Sequence, residues 1–345
     1  MMRRERRSLG RLSRARYDRG MQQLRRASPS DHYDGKRFSN SGGGGAERRG
    51  FRDFLLWQFS RERPVWPEWI ADDDPPAPGP LAPGEVAATY IGHATLLLRF
   101  AGFSVLTDPM FSLRASPFAS FGPKRVRAPA LALEDLPKID AVCLSHNHYD
   151  HMDLASLRAL QLRGNTPIVT GIGNGAYLAA RGIANLIELD WWQSAEPVTG
   201  LKITYVPAQH WSRRRFWDTN RMLWGGHVIE AQGARVYFAG DTGYPAQFGA
   251  IARRCGVPDM ALLPIGAYEP RWFMAPQHMN PEEAVKAHLD LGARLSIAMH
   301  FGVFPLTDEP FGAPEAALAA ALTQYKIGAS AFRIPAFGET IVITK

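Results

Sequence analysis

Residues 141–153 read AVCLSHNHYDHMD, an apolar run that breaks into three histidines and two aspartates within nine residues. The run is short, which suits a strand buried in a sheet. A strand that ends in so many imidazoles and carboxylates asks for a sheet edge where other strand ends converge on it. The chain has only ten histidines, so a polar turn that happens to contain three is a poor explanation. His146 and His148, two residues apart in extended chain, leave on the same side. Asp150 and His151 follow on the turn, with a helix expected after Met152. Neutral imidazole and carboxylate are good ligands for zinc and similar divalent metals.

The same arrangement recurs three times. His210 ends the run ITYVPAQ, Asp241 ends VYFAG, and His300 ends LSIAM. Any one of these alone would be read as a surface or core residue. Together they complete two sets, with His146, His148 and His210 on one metal and Asp150, His151 and His300 on a second. Asp241 would bridge the two.

Short apolar runs closed by Gly, Pro, Asp or His continue from about residue 85 to the end of the chain. VAATYIG, ATLLLRF and FSVLTD read as an opening meander, and ETIVITK as a last strand. LASLRALQL and PEEAVKAHLDLG read as helices, the second opened by Pro281 with acids in its first turn. Strands in two blocks with helices between them predict an α/β chain of the α+β kind, with two sheets packed together and helices outside. The expected organisation is a disordered Arg/Gly-rich tail over 1–50, then an aromatic segment and Pro-rich linker over 51–84 packing on or near the domain. The catalytic domain would occupy 85–345.

Charge separates the same regions. Residues 1–50 hold fourteen Lys or Arg against five Asp or Glu, leaving 26 against 28 in the rest. The folded body is therefore slightly acidic and gives no footing for nucleic acid as a partner. The tail reads as a solvated basic segment or, through Leu9, Leu12, Tyr17, Met21 and Leu24, as an amphipathic helix on an anionic membrane. The run FRDFLLWQFSRERPVWPEW, residues 51–69, suits either a membrane interface or a helix clamped on the domain. Two distant cysteines, Cys143 and Cys255, make no disulfide framework, and a cytoplasmic location with peripheral contact to the inner face of a membrane is expected.

The HxHxDH motif with its distant His, Asp and His resembles the metallo-β-lactamase superfamily. Further stretches narrow the resemblance: YIGHATLLL, PAQHWSRR, FAGDTGY, GAYEPRWFM, QHMNPEEAV and MHFG. Over about residues 85–305 these are similar to the N-acyl-phosphatidylethanolamine-hydrolysing phospholipase D family. The resemblance implies a four-layer αββα sandwich with two zinc ions at one edge. It implies ligands His146, His148, His210, Asp241, Asp150, His151 and His300, with Asp150 and Asp241 orienting an activated water. It places His278, Gln277 and Tyr149 near the substrate, with His278 also a candidate proton donor. Asp153 and His93 are expected as supports. The implied activity is hydrolysis of N-acyl-phosphatidylethanolamine to an N-acylethanolamine and phosphatidic acid; another phosphodiester or a lactone on the same metal chassis is the alternative. A phospholipid partner and a homodimer are implied as well.

Overall fold

The computed structural model describes residues 30–40, 51–73, 75, 79–245 and 247–345. Among them are fourteen strands in two seven-stranded sheets. The first sheet begins with the antiparallel meander β1 (Glu85–Gly92), β2 (Thr95–Phe100) and β3 (Phe103–Thr107). It continues in parallel through β4 (Ala141–Leu144), β5 (Ile168–Gly171) and β6 (Leu186–Leu189). The second sheet opens with antiparallel β7 (Ser194–Val198), β8 (Leu201–Val206), β9 (Gly226–Ala231) and β10 (Ala234–Phe238). Parallel β11 (Met260–Pro264), β12 (Leu295–Met299) and β13 (Phe332–Arg333) complete it. The last strand, β14 (Thr340–Thr344), returns to pair with β1 in the first sheet.

Side chains alternate across each strand, and that alternation builds the layers. Ala141 and Cys143 of β4 face the second sheet and join the large core there. Val142 and Leu144 point the other way, onto Leu157 and Leu160 of α2 (Leu154–Gly164) and Leu178 of α3 (Asn174–Ala179). The second sheet is covered in the same manner. Phe248 and Ile251 of α4 (Gln247–Cys255), Val285 and Leu291 of α6 (Pro281–Leu291) and Leu318 of α7 (Ala313–Tyr325) all enter the main core. The order is helices, sheet, sheet, helices. Strands buried on both faces explain why the apolar runs are continuous. A one-turn helix, α5 (Arg271–Met274), lies between β11 and α6.

Ahead of the sandwich, α1 (Phe51–Ser60) packs on α5. The Trp57 ring stacks on Phe273 at 5.0 Å, and its indole donates to Asp308 at 2.6 Å. Arg61 reaches the same carboxylate at 2.8 Å, and Trp66 donates to the Glu309 carbonyl at 3.2 Å. Of the aromatic run, Trp57 is thus buried, while Phe59 is 88% exposed. The Pro-rich stretch is tied down at Asp72, which pairs with Arg127 at 3.0 Å.

One expectation needs correcting. Residues 30–40, inside the stretch read as disordered, are folded onto the domain. Tyr33 and Phe38 are buried in the main core and bridge one another across an Asp34-Gly35 turn. Composition misled here, because a few well-placed aromatic residues outweigh the basic flanks once they find a core. Residues 1–29 and 41–50, with the amphipathic reading of 9–24, lie outside the described residues.

Candidate metal centre

The ligand candidates meet at one edge because their strands run in one direction. β4, β8, β10 and β12 all end on the same side, so His146, His210, Asp241 and His300 arrive together from chain positions far apart. His300 follows β12 directly in left-handed backbone, φ 62°, and so does His93 after β1, φ 59°. Such a conformation is uncommon for a residue with a Cβ and is held here by surroundings. The His300 amide donates to the His93 carbonyl at 2.8 Å. Gly266 lies against this turn, and a Cβ added there would collide with the His300 carbonyl oxygen.

Two clusters result. In the first, His148 Nδ1 lies 2.9 Å from His146 Nε2 and 3.2 Å from His210 Nε2. Asp241 Oδ2 stands 3.8 Å from both of those Nε2 atoms. In the second, His151 Nε2 lies 3.2 Å from His300 Nε2 and 3.3 Å from Asp150 Oδ2. His93 joins this group, its Nε2 3.0 Å from the same Asp150 oxygen. Asp241 stands between the clusters, with one oxygen 3.1 Å from His151 and the other 3.1 Å from His300.

The hydrogen bonds behind the imidazoles decide what these nitrogens can do. His210 Nδ1 faces the Gln277 carbonyl at 2.9 Å, and a carbonyl only accepts. The proton therefore sits on Nδ1, and Nε2 presents a lone pair to the cluster. His151 Nδ1 faces the Asp108 carboxylate at 2.6 Å with the same consequence. Ser145 Oγ donates to Asp108 at 2.5 Å, which leaves that oxygen to accept from His146 Nδ1 at 2.9 Å. In their neutral forms His210 and His151 thus turn Nε2 lone pairs into the clusters, and the carbonyl and carboxylate behind them are the usual arrangement for metal-ligating histidine, whereas His148 Nε2 and His300 Nδ1 have no such partner. The residues present fit a divalent metal in each cluster.

Electrostatics differ between the two. Burial, helped by neighbouring imidazoles, pushes His146 and His148 well below the ordinary histidine value, and burial lowers His210 to about 4. Burial also opposes charge on His151 and His300. There the carboxylates Asp241 and Asp150 prevail, raising His151 well above its ordinary value and His300 to about 9. Burial works against ionising Asp150 and Asp241, but the charge on His151 holds both far below the usual carboxylate range.

The residues expected to meet substrate are placed unevenly. His278 stands at the clusters, its Nδ1 4.0 Å from Asp241. That nitrogen is buried without a hydrogen-bond partner, and burial lowers the ring to about 3. Its backbone is held by Arg271, which donates to the His278 carbonyl at 2.9 Å and pairs with Glu283 at 2.7 Å. Glu283 also closes the capping box of α6 with Asn280. Gln277 touches the site through its carbonyl; its side-chain amide faces Met274. Tyr149 points its hydroxyl at the Arg214 carbonyl, 2.9 Å away, and belongs to neither cluster. Asp153 caps α2, accepting from Ala155 and Ser156.

Two contributors stand outside the expected ligand set. Asp108 also follows a strand, β3, so the rule that found Asp241 applies to it. It differs in pointing at histidines from behind. Arg214 is 8% exposed and folded inward. It donates to the Asn147 and Met152 carbonyls at 3.0 and 2.8 Å, clasping the histidine loop from outside. Its neighbour Arg213 rests on Trp211 at 5.0 Å, and Arg215 is exposed.

Fold and site together define a metal-dependent hydrolase on a metallo-β-lactamase sandwich. Residues 104–301 match the family described as a beta-lactamase superfamily domain, and the chain belongs to that superfamily. An N-acyl-phosphatidylethanolamine-hydrolyzing phospholipase D of Caenorhabditis elegans is 42% identical over 230 residues, 64% of this chain and 64% of the relative. An uncharacterized protein of Mycobacterium tuberculosis is 42% identical over 260 residues, 72% of this chain and 69% of the relative. Among solved structures, a metallo hydrolase from the archaeon Ignicoccus hospitalis superposes with a TM-score of 0.58 at 25% identity, covering 76% of this chain and 99% of its own.

Proposed function

We propose that this enzyme is a dizinc phosphodiesterase of the phospholipase D type, hydrolysing N-acyl-phosphatidylethanolamine to an N-acylethanolamine and phosphatidic acid. The observation that carries the reading is the meeting of two imidazole–carboxylate clusters at Asp241 with the unpartnered His278 beside them. The Caenorhabditis elegans relative bears the name of this activity. His146, His148, His210 and Asp241 would hold one ion; Asp150, His151 and His300, with Asp241, would hold the other. Two divalent ions there would make hydroxide available near neutral pH and polarise the phosphoryl oxygens. Zinc is chosen because imidazole and carboxylate suit it, although iron and manganese accept the same donors.

The chain's own residues supply orientation. Asp150 and Asp241, ionised at neutral pH, can accept hydrogen bonds from the attacking water and aim it at phosphorus. His278, neutral at that pH, can hydrogen-bond a phosphoryl or leaving-group oxygen through whichever ring nitrogen carries the proton. With an activated water as nucleophile the reaction requires no serine or cysteine, and Cys143 is fully buried in the core.

A two-tailed lipid needs an apolar approach. Exposed aromatic side chains stand on segments that follow the ligand-bearing edge: Phe118 and Phe121 after β3, Phe216 and Trp217 after β8. Phe59 on α1 is exposed as well. We assign these exposed rings to peripheral contact with a phospholipid surface, where amphipathic rings are favoured. Among the described residues no helix is long and apolar enough to cross a membrane.

Product analysis of a defined N-acyl phospholipid in mixed micelles tests the assignment, with Asp150→Asn as the inactive control. Phosphatidic acid and the N-acylethanolamine are the expected pair. Turnover confined to soluble phosphodiesters, RNA or a lactone would move the protein to the alternative substrate class.

A further inference from the structure

Residues 30–40 reach the metal centre from outside the sandwich. The hairpin is anchored at His32, which stacks on Trp191 at 4.3 Å. Its ring nitrogens lie 2.6 Å from Asp31 and 2.7 Å from Asp190. The Phe38 amide donates to the Asn220 carbonyl at 2.7 Å. Two residues on, Asn40 Oδ1 accepts the backbone N–H of His210 at 3.1 Å and the indole N–H of Trp224 at 3.0 Å. His210 stands four residues beyond the end of β8, past the reach of the sheet ladder. Its amide is held by the arm, and its ring by the Gln277 carbonyl.

We propose that residues 30–40 are a working part of the metal centre: the docked arm fixes the backbone of His210 through Asn40 and thereby sets metal retention by the cluster of His146, His148, His210 and Asp241. Asn40 is a positioning residue, since its contact is with the His210 backbone and not with the metal-facing atoms. The inference rests on the reading that this cluster holds a metal; it is independent of the substrate. Both groups that Asn40 receives are N–H donors, so the position needs an acceptor oxygen and nothing more. An aspartate supplies one. An alanine leaves the His210 N–H unpaired, while the Trp224 indole keeps the Ala208 carbonyl at 3.0 Å.

The test is zinc binding by the full chain, followed by competition with a chromogenic chelator. The parent should hold two ions. Asn40→Ala should lose its hold on one of them by about 10–100-fold, the usual effect of removing a group that orients a ligand, while the other is unchanged. Asn40→Asp should restore parental retention, which a purely packing role would not require. His32→Ala, which loosens the arm eight residues away, should reproduce the loss of one ion even where Asn40→Ala is too unstable to load. Parental retention of both ions in Asn40→Ala or in His32→Ala overturns the proposal, as does failure of Asn40→Asp to rescue. A parent that binds no zinc would instead sink the metal reading itself.

Discussion

The two sheets furnish the metal edge in different ways. The first supplies His146, His148, Asp150 and His151 from one loop, six residues long, backed by Asp108 and clasped by Arg214. The second supplies His210, Asp241 and His300, one from each of three strand ends, with nothing local to relate them. The first half is set by the loop's short span and by Asp108 and Arg214, which bond it directly. The second depends on strand register, on the turn at Gly266 and on the contact of Asn40 with the His210 amide. Damage to the first half should therefore be local and severe, whereas the second half is open to influence from distant parts of the chain.

The largest effect is expected at the residue both clusters share. Asp241→Ala should remove both ions and bring turnover to background, whereas His210→Ala should spare the second; metal analysis of the purified variants distinguishes them. If Asp241→Ala keeps one ion at full affinity, Asp241 is not the bridge. Next comes His278→Ala, which should lower kcat by about 10²–10⁴-fold, the range for loss of a group acting on the transferred proton or charge. Its metal content should match the parent, and loss of metal would make His278 a ligand. Asp108→Asn should weaken metal affinity by about 10–100-fold, and for both ions, because Asp108 orients His151 directly and His146 through Ser145. An effect on a single ion would break that link.

The smallest effect concerns pH and the arm. Burial presses the His32 imidazole down, but Asp190 and Asp31 outweigh it, so its pKa is raised on folding. A raised group stabilises most below its unfolded value of about 6.5 and loses that contribution as pH climbs through the raised value. Hydrogen exchange at residues 30–40 should accordingly quicken as pH rises from about 6 to 8, beyond the intrinsic increase. His32→Gln should remove this excess, and an identical excess in parent and variant would mean that His32 is no latch.

Much of this edge was legible in the sequence, for reasons that can be named. The block HNHYDH stands out through density, and His210, Asp241 and His300 through a shared position just past an apolar run. That rule worked because parallel strands end together. Asp108 obeys the same rule and was passed over, since one aspartate after a strand is ordinary and its partners are visible only in three dimensions. Tyr149 was placed by its position within the motif, and its hydroxyl donates to the Arg214 carbonyl. The arm at 30–40 was lost among arginines and glycines. Its signal was present in HYDGKRF, where Asp-Gly between aromatic residues is a hairpin turn. The Ala-rich helix α7 likewise carries strong intrinsic propensity, with no polar motif to draw attention to it.

The turn at Gly266 bears on how this enzyme could be re-engineered. The segment from there to Asn280 begins at a position where not even a methyl group fits and ends in a reciprocal helix cap. Between these two fixed points lie the exposed Trp272, the buried Phe273 and His278. The stretch behaves as a cassette with rigid fittings at both ends. A designer altering substrate range would keep Arg271, the Gln277 carbonyl and His278, vary only the side chains between them, and carry the glycine and the Asn280–Glu283 pair with every insert.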